Sequence, residues 1–126
     1  MLRFLSDAWL QALDDRTSEV HLVEPLDLCV EHVVGDTVYH VAFAGRQVRF
    51  VPGAAHEPAV RLRTSRPHAV AIARGETSAQ RLFMNGELSL EGDAHALVRA
   101  LPALRQLDDV FAEVRAETEW DAPSHD

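Results

Sequence analysis

The chain has 126 residues, a length that suits one domain with a single core. Its 12 basic and 20 acidic residues give a formal charge of −8, which disfavours nucleic acid and anionic membrane surfaces as partners. One cysteine, Cys29, excludes an internal disulfide and a cysteine-based zinc site, so we expect a reducing, cytoplasmic setting. No run approaches the roughly eighteen apolar residues of a membrane span, and the N-terminus lacks the pattern of a signal peptide.

The first half of the chain predicts one helix followed by strands. Apolar residues recur at helical spacing from Leu2 to Leu13, which predicts an amphipathic helix over the first fourteen residues. Two alternating segments, 26–34 and 37–44, predict a β-hairpin around a turn at Gly35-Asp36. Pairing Val34 with Thr37 fixes its register. The pairs on its apolar face are then His32 with Tyr39, Val30 with Val41, and Leu28 with Phe43.

Two further strands, 47–51 and 59–64, alternate apolar residues with Arg49, Arg61 and Arg63. The predicted sheet is therefore apolar on one face and basic on the other, and we expect helices on the apolar face only. The basic stripe has two interpretations: a solvated sheet face, or a docking surface for an acidic partner protein.

The second half predicts short capped helices. Ser65 and Ser78 are candidate N-caps of helices that end near Gly75 and Gly86. A short strand at 88–91 follows, and Asp93 caps the next helix. Pro102 predicts a kink or a break, with a second amphipathic helix at 103–118. We expect residues 119–126 to be a disordered tail.

The segment ARGETSAQRLFMNGELSLEGDAHAL, residues 73–97, gives these signals a family likeness. Together with the order of elements over residues 1–107, it resembles the sterol carrier protein type 2 family. The resemblance implies an α+β fold: one two-layer domain with a five-stranded, mostly antiparallel sheet, helices on one face and an apolar tunnel between the layers. It also implies a non-catalytic carrier of a fatty acid, acyl-coenzyme A or sterol-like ligand, without a cofactor.

Two departures bear on the ligand. Related sequences often carry basic residues before the Gly-Asp step, where this chain has Glu87 and Ser89. An acidic residue common before the fourth strand is replaced by Pro58-Ala59. The first departure weakens the case for an anionic head group, such as that of coenzyme A, at this strand.

We expect the ligand to contact apolar residues on the inner faces of the sheet and helices, with His32 and Tyr39 as a polar pair. These wall residues are Leu28, Val30, His32, Tyr39, Val41, Phe43, Val48, Phe50, Val60, Leu62, Val70, Leu82, Phe83, Leu88, Leu90, Leu97 and Leu101. The pair either holds a carboxylate or hydroxyl of the ligand or is a satisfied pair at the sheet edge.

Other functions stay open at this point. A pocket-based cyclase or isomerase of a polyketide or terpenoid pathway would use His32 or Tyr39 as acid or base. An interaction module would simply have a filled core. The seven histidines are scattered without metal-ligand spacing, so we expect no metal site. A homodimer, or an acidic partner protein, is also left open.

Overall fold

The computed structural model describes residues 2–120. The strands of this part are β1 (Leu2–Arg3), β2 (Leu28–Val34), β3 (Thr37–Ala44), β4 (Gln47–Pro52), β5 (Val60–Thr64), β6 (Leu88–Gly92) and β7 (Thr118–Glu119). Its helices are α1 (Asp7–Thr17), α2 (Arg66–Ala73), α3 (Ala79–Met84), α4 (Ala94–Gln106) and α5 (Asp108–Ala116).

Five strands form one sheet in the order β4-β3-β2-β5-β6. The β2–β5 pair is parallel and the other three pairs are antiparallel, which confirms the predicted α+β fold with a mostly antiparallel sheet. The predicted hairpin register is also confirmed, from Val34 opposite Thr37 to Leu28 opposite Phe43. A turn this short leaves the strands one way to pair with their apolar residues on the same face.

The predicted helix starts of the second half are confirmed. Ser65, Ser78 and Asp93 each accept a backbone N–H of the first turn of the following helix. These bonds satisfy amides that have no partner inside the helix. Helices α2 and α3 are short, and β6 joins the sheet as the edge strand beside β5.

The predicted N-terminal helix is wrong in its first turn. Leu2–Arg3 is a strand that pairs in parallel with β7, and α1 begins only at Asp7. Ser6 caps α1, because its Oγ accepts the N–H of Trp9 at 3.2 Å. Leu5, between strand and helix, has a φ of +64°, which interrupts any helix that would start earlier.

The C-terminal bounds also differ from those predicted. Helix α4 continues through Pro102 to Gln106, and the break before α5 lies at Leu107. Proline leaves the carbonyl of Val98 without its helical donor, but Val98 is exposed, so water can satisfy that carbonyl. Thr118 and Glu119 lie in β7 instead of the predicted helix and tail, and residues 121–126 of that tail are outside the described part.

The face of the sheet away from the helices carries paired charges. Arg61 donates to the buried carboxylate of Glu31 at 2.5 Å, and both Arg61 and Arg63 contact Glu91. Arg49 donates to Asp14 at 2.8 Å. Each arginine of the predicted basic stripe therefore has a carboxylate partner within the protein, and docking of an acidic protein there stays a prediction.

Candidate functional site: an apolar cavity between sheet and helices

A cavity of about 270 Å³ lies between the helix-covered face of the sheet and the helices. We call that face the inner face. The cavity is lined by Phe4, Leu5, Trp9, Leu13, His32, Val34, Tyr39, Leu62, Thr64, Ala69, Ile72, Ala73, Ala79, Leu88, Phe111, Val114, Arg115, Thr118 and Trp120. Most of these side chains are apolar, so the space suits an apolar or amphipathic molecule.

Small side chains on two helices keep the space open. Ala69, Ile72 and Ala73 recur at the three- and four-residue spacing that puts them on one face of α2, and all three line the cavity. Ala79, at the start of α3, lines it as well. Larger residues at the alanine positions would fill the space, because protein interiors are otherwise close-packed.

Aromatic residues from both ends of the chain close another side. The ring centroid of Phe4 lies 5.0 Å from that of Trp9 and 5.3 Å from that of Trp120. The indole N–H of Trp9 donates to the buried hydroxyl of Thr118 at 3.1 Å, and that hydroxyl donates to the carbonyl of Val114. Through these contacts the paired strands β1 and β7 pack against helix α1.

The His32 and Tyr39 pair lies on the inner face of the sheet, where the register sets the two residues side by side. Their rings stack with centroids 4.8 Å apart and an angle of 7° between planes. Burial lowers the pKa of His32 to about 4, against the opposing effect of the neighbouring Glu31 carboxylate. Burial also raises the pKa of Tyr39. Both side chains are therefore neutral near pH 7.

Within residues 2–120, Arg115 is the charged residue of the cavity lining, and no aspartate or glutamate of this part lines it. Its Nε donates to the carbonyl of Ala73 at 2.6 Å, which ties α5 to the end of α2. Arg66 and Arg74 lie nearby, over the rings of Phe4 and Trp120 at 5.6 and 5.9 Å. Of these three arginines only Arg115 lines the cavity, and Arg74 is paired with Glu76 at 3.3 Å.

The structure brings four of the expected wall residues to the cavity: His32, Tyr39, Leu62 and Leu88. Others are buried in the core without lining it: Val30, Val41, Phe43, Val48, Phe50, Val60 and Leu82. Leu28, Val70, Leu90 and Leu97 are half-buried and pack against that core. The side chains of Phe83 and Leu101 are 52% and 40% exposed, and neither lines the cavity.

Several lining residues were outside the sequence-based expectation, above all the alanines of α2 and α3 and the aromatic residues near both termini. A stripe of small residues on an amphipathic helix is the signal available for the first group. For the second group no local signal exists, because the contact of Phe4 with Trp120 joins opposite ends of the chain. Helix α5 contributes Phe111, Val114 and Arg115, so its position is against the cavity.

Residues 7–104 match the model of the SCP-2 sterol transfer family. The chain belongs to this family. Within residues 2–120, no three potential metal ligands come together, and no helix has the length and hydropathy needed to cross a membrane.

Solved structures show the same fold. A crystal structure of sterol carrier protein 2 matches with a TM-score of 0.63 at 15% identity, covering 90% of this chain and 98% of that one. A conserved hypothetical protein from Thermus thermophilus matches with a TM-score of 0.64 at 15% sequence identity, and the match covers 100% of this chain and 96% of that one. Sterol carrier protein 2-like 2 from Aedes aegypti matches with a TM-score of 0.57 at 17% sequence identity, and the match covers 77% of this chain and 93% of that one. Among curated proteins, no sequence matches this chain.

The family match stops at residue 104, within α4. Helix α5, β7 and Trp120 lie beyond it, yet they supply a large part of one cavity wall. Part of the cavity wall is therefore formed by residues that lie outside the range matched by the family model.

Proposed function

We propose that this SCP-2 family member is a carrier that binds one single-chain lipid with an anionic head group, of the fatty-acid type. The observation that carries the proposal is the apolar cavity with Arg115 as the charged residue of its lining. Burial of the chain would drive binding, at about 25 cal/mol per Å² of apolar surface before ordering costs.

The size of the cavity favours a single chain over a bulky ligand. Its volume of about 270 Å³ is near the lower end of pockets that take small molecules, which start at roughly 300 Å³. A flexible acyl chain can adapt to such a space, whereas a rigid four-ring sterol needs a wider one. We therefore place fatty acids ahead of sterols.

The charges favour a simple carboxylate over coenzyme A. Arg115 offers one guanidinium to a head group, and a carboxylate matches its geometry. The multiple phosphates of coenzyme A call for several cations, and the strand before the Gly-Asp step carries Glu87 and Ser89 where related sequences often have basic residues. We therefore place free fatty acids ahead of acyl-coenzyme A.

The state of the His32 and Tyr39 pair favours binding over catalysis. A general acid or base works best when its pKa is close to the working pH. The pKa of His32 is about 4 and that of Tyr39 is raised above its usual value, so neither exchanges protons readily near pH 7. The cavity itself also argues against an interaction module with a filled core. A reducing, cytoplasmic setting stays a prediction from the single free thiol of Cys29.

Native mass spectrometry of the freshly purified protein tests the proposal. We expect a 1:1 complex whose released ligand is a single-chain lipid, and uptake of a fluorescent fatty acid by the delipidated protein. An apo mass together with no uptake from a mixed pool of fatty acids would contradict the carrier function.

The Arg115→Gln variant tests the position of the head group. We expect it to lower the affinity for a long-chain fatty acid about fivefold, because it removes an ion pair at a partly solvated site. Affinity for the fatty alcohol of equal chain length should not change, since that head group carries no charge. Arg99→Gln, which removes an exposed arginine outside the cavity lining, is the matched control. Equal losses for acid and alcohol would place the carboxylate elsewhere.

A further inference from the structure

The side-chain polar atoms of His32 and Tyr39 have no hydrogen-bond partner within residues 2–120. Both residues line the cavity, and neither ring contains a fully enclosed polar atom. The two side chains thus present accessible polar atoms in the wall of the cavity. Molecules in the cavity, whether water or a ligand, can serve as their hydrogen-bond partners.

Most other polar groups of the described lining are engaged within the protein, apart from the indole N–H of Trp120 and the outer nitrogens of Arg115. The hydroxyl of Thr118 is bonded to Trp9 and Val114, and the hydroxyl of Thr64 donates to the carbonyl of Glu87 at 3.3 Å. The Nε of Arg115 is bonded to Ala73. The indole of Trp120 offers only a donor, so in the described lining the stacked pair is the place where uncharged side chains without a protein partner offer both donors and acceptors.

Leaving polar groups unpaired in apolar surroundings is unfavourable, and phenylalanine rings at both positions would stack without that cost. A neutral imidazole offers one donor and one acceptor, and a phenol offers both roles at one oxygen. The pair can therefore bind an uncharged oxygen, whether it is a hydroxyl or a carbonyl. A carboxylate would need a cation, and the lining has its cation at Arg115.

We propose that His32 and Tyr39 bind a neutral oxygen within the ligand chain, so that the preferred ligand is a hydroxy or oxo fatty acid. This inference rests on the proposed function, which puts an acyl chain in the cavity. The carboxylate lies at Arg115 and the second oxygen lies at the stacked pair. The cavity then discriminates oxygenated chains from plain ones.

A competition titration at pH 7 tests the assignment. The ligands are stearate and a series of stearates with a hydroxyl or an oxo group at successive positions along the chain. We expect at least one position to bind the wild-type protein about fivefold more tightly than stearate, as one net hydrogen bond would give. The position of the preferred oxygen along the chain shows how far the stacked pair lies from the carboxylate site. Comparison of the hydroxystearates with the oxostearates shows whether the pair prefers a hydroxyl or a carbonyl.

Tyr39→Phe and His32→Phe keep the stacked rings and remove the polar atoms. We expect each variant to lose most of the preference for the oxygenated chain, measured as the ratio of its affinity for the oxygenated chain to its affinity for stearate. His40→Phe is the matched control, because His40 follows Tyr39 on the opposite face of β3 and bonds the carbonyl of Gly53. Circular dichroism shows whether each variant is folded.

The outcomes separate the two proposals. If the wild-type protein binds stearate and every oxygenated analogue equally, the role of the pair is overturned and the carrier function stands. A preference that survives in both Tyr39→Phe and His32→Phe overturns it as well. If stearate and its analogues do not bind at all, the carrier function fails, and the inference fails with it.

Discussion

Gly92, at the end of β6, has a backbone conformation that only glycine adopts easily. Its φ is +105°, and a Cβ added there would lie 2.4 Å from the carbonyl oxygen of Ala59. The same carbonyl accepts the N–H of Asp93, so it cannot move away without a loss. Gly92 thus lets the end of β6 approach β5 closely just before Asp93 caps α4.

Substitution of Gly92 by alanine should lower the free energy of unfolding by roughly 3 kcal/mol, because backbone strain and a steric clash add. Gly45→Ala is the control: its φ is +60° but a Cβ there meets nothing within 4 Å, so we expect a loss of about 1 kcal/mol. Urea unfolding measures both. Equal losses would mean that the contact with Ala59 relaxes at no cost.

Leu5 shows strain of a related kind at the cavity itself. It is buried, lines the cavity and has a positive φ, which is uncommon for a residue with a branched side chain. The turn around it is held by Ser6, whose N–H and hydroxyl both donate to the carbonyl of Arg3. The strained turn directs the leucine side chain inward between β1 and α1.

At the scale of elements, helix α1 protects the edge of the sheet. Strand β4 is an edge strand, and its Phe50 N–H would otherwise be free. Asp14 of α1 accepts that N–H at 2.9 Å and the guanidinium of Arg49 at 2.8 and 3.1 Å. The hydrogen bond from Arg49 lowers the pKa of Asp14, and partial burial opposes the shift. Covering an edge in this way also disfavours pairing with another chain.

Asp14→Ala should cost about 1–3 kcal/mol at pH 7, because it leaves the buried Phe50 amide unpaired. Since the folded-state pKa of Asp14 is depressed, its contribution is present above the unfolded-state pKa of about 3.9 and is lost as the pH falls through the lower folded value. Urea titrations of wild type and variant should therefore converge below about pH 4. Asp15→Ala, which removes an exposed bond to Gln11, should change little at either pH.

Elements defined by local signals were predictable. The Gly35-Asp36 turn set the register of β2 and β3, and the caps Ser65, Ser78 and Asp93 set three helix starts. The predictions that failed concern elements whose structure depends on a contact with a distant part of the chain. Leu2–Arg3 continues a helical apolar pattern but forms a strand, because its partner β7 lies at the other end of the described chain.

At the scale of the whole molecule, the sequence could indicate a cavity but not its position. Leucine and valine fill a core as readily as they line one, so the wall could not be separated from the packed core by residue type. Val41 and Tyr39 share the inner face of β3, yet only Tyr39 reaches the cavity. The difference depends on which helix residues pack over each position. The terminal aromatic residues have no local signal, because their contact joins opposite ends of the chain.

Filling the cavity should separate ligand binding from folding. Ala69→Leu puts a larger side chain at a lining position of α2, and we expect fatty-acid affinity to fall at least about tenfold because the chain and the leucine compete for one space. The free energy of unfolding should stay equal or rise by about 1 kcal/mol, as for other cavity-filling changes. Displacement titration and urea unfolding measure the two quantities.

Ala71→Leu is the matched control on the same helix, because Ala71 is half-buried but does not line the cavity. It should leave the affinity unchanged. If Ala69→Leu also binds fatty acid like the wild type, the ligand occupies another part of the molecule and the 270 Å³ cavity is not the site. If both variants lose binding together with stability, the loss reflects unfolding of α2. The expected pattern, loss in Ala69→Leu alone with stability kept, ties lipid uptake to this cavity.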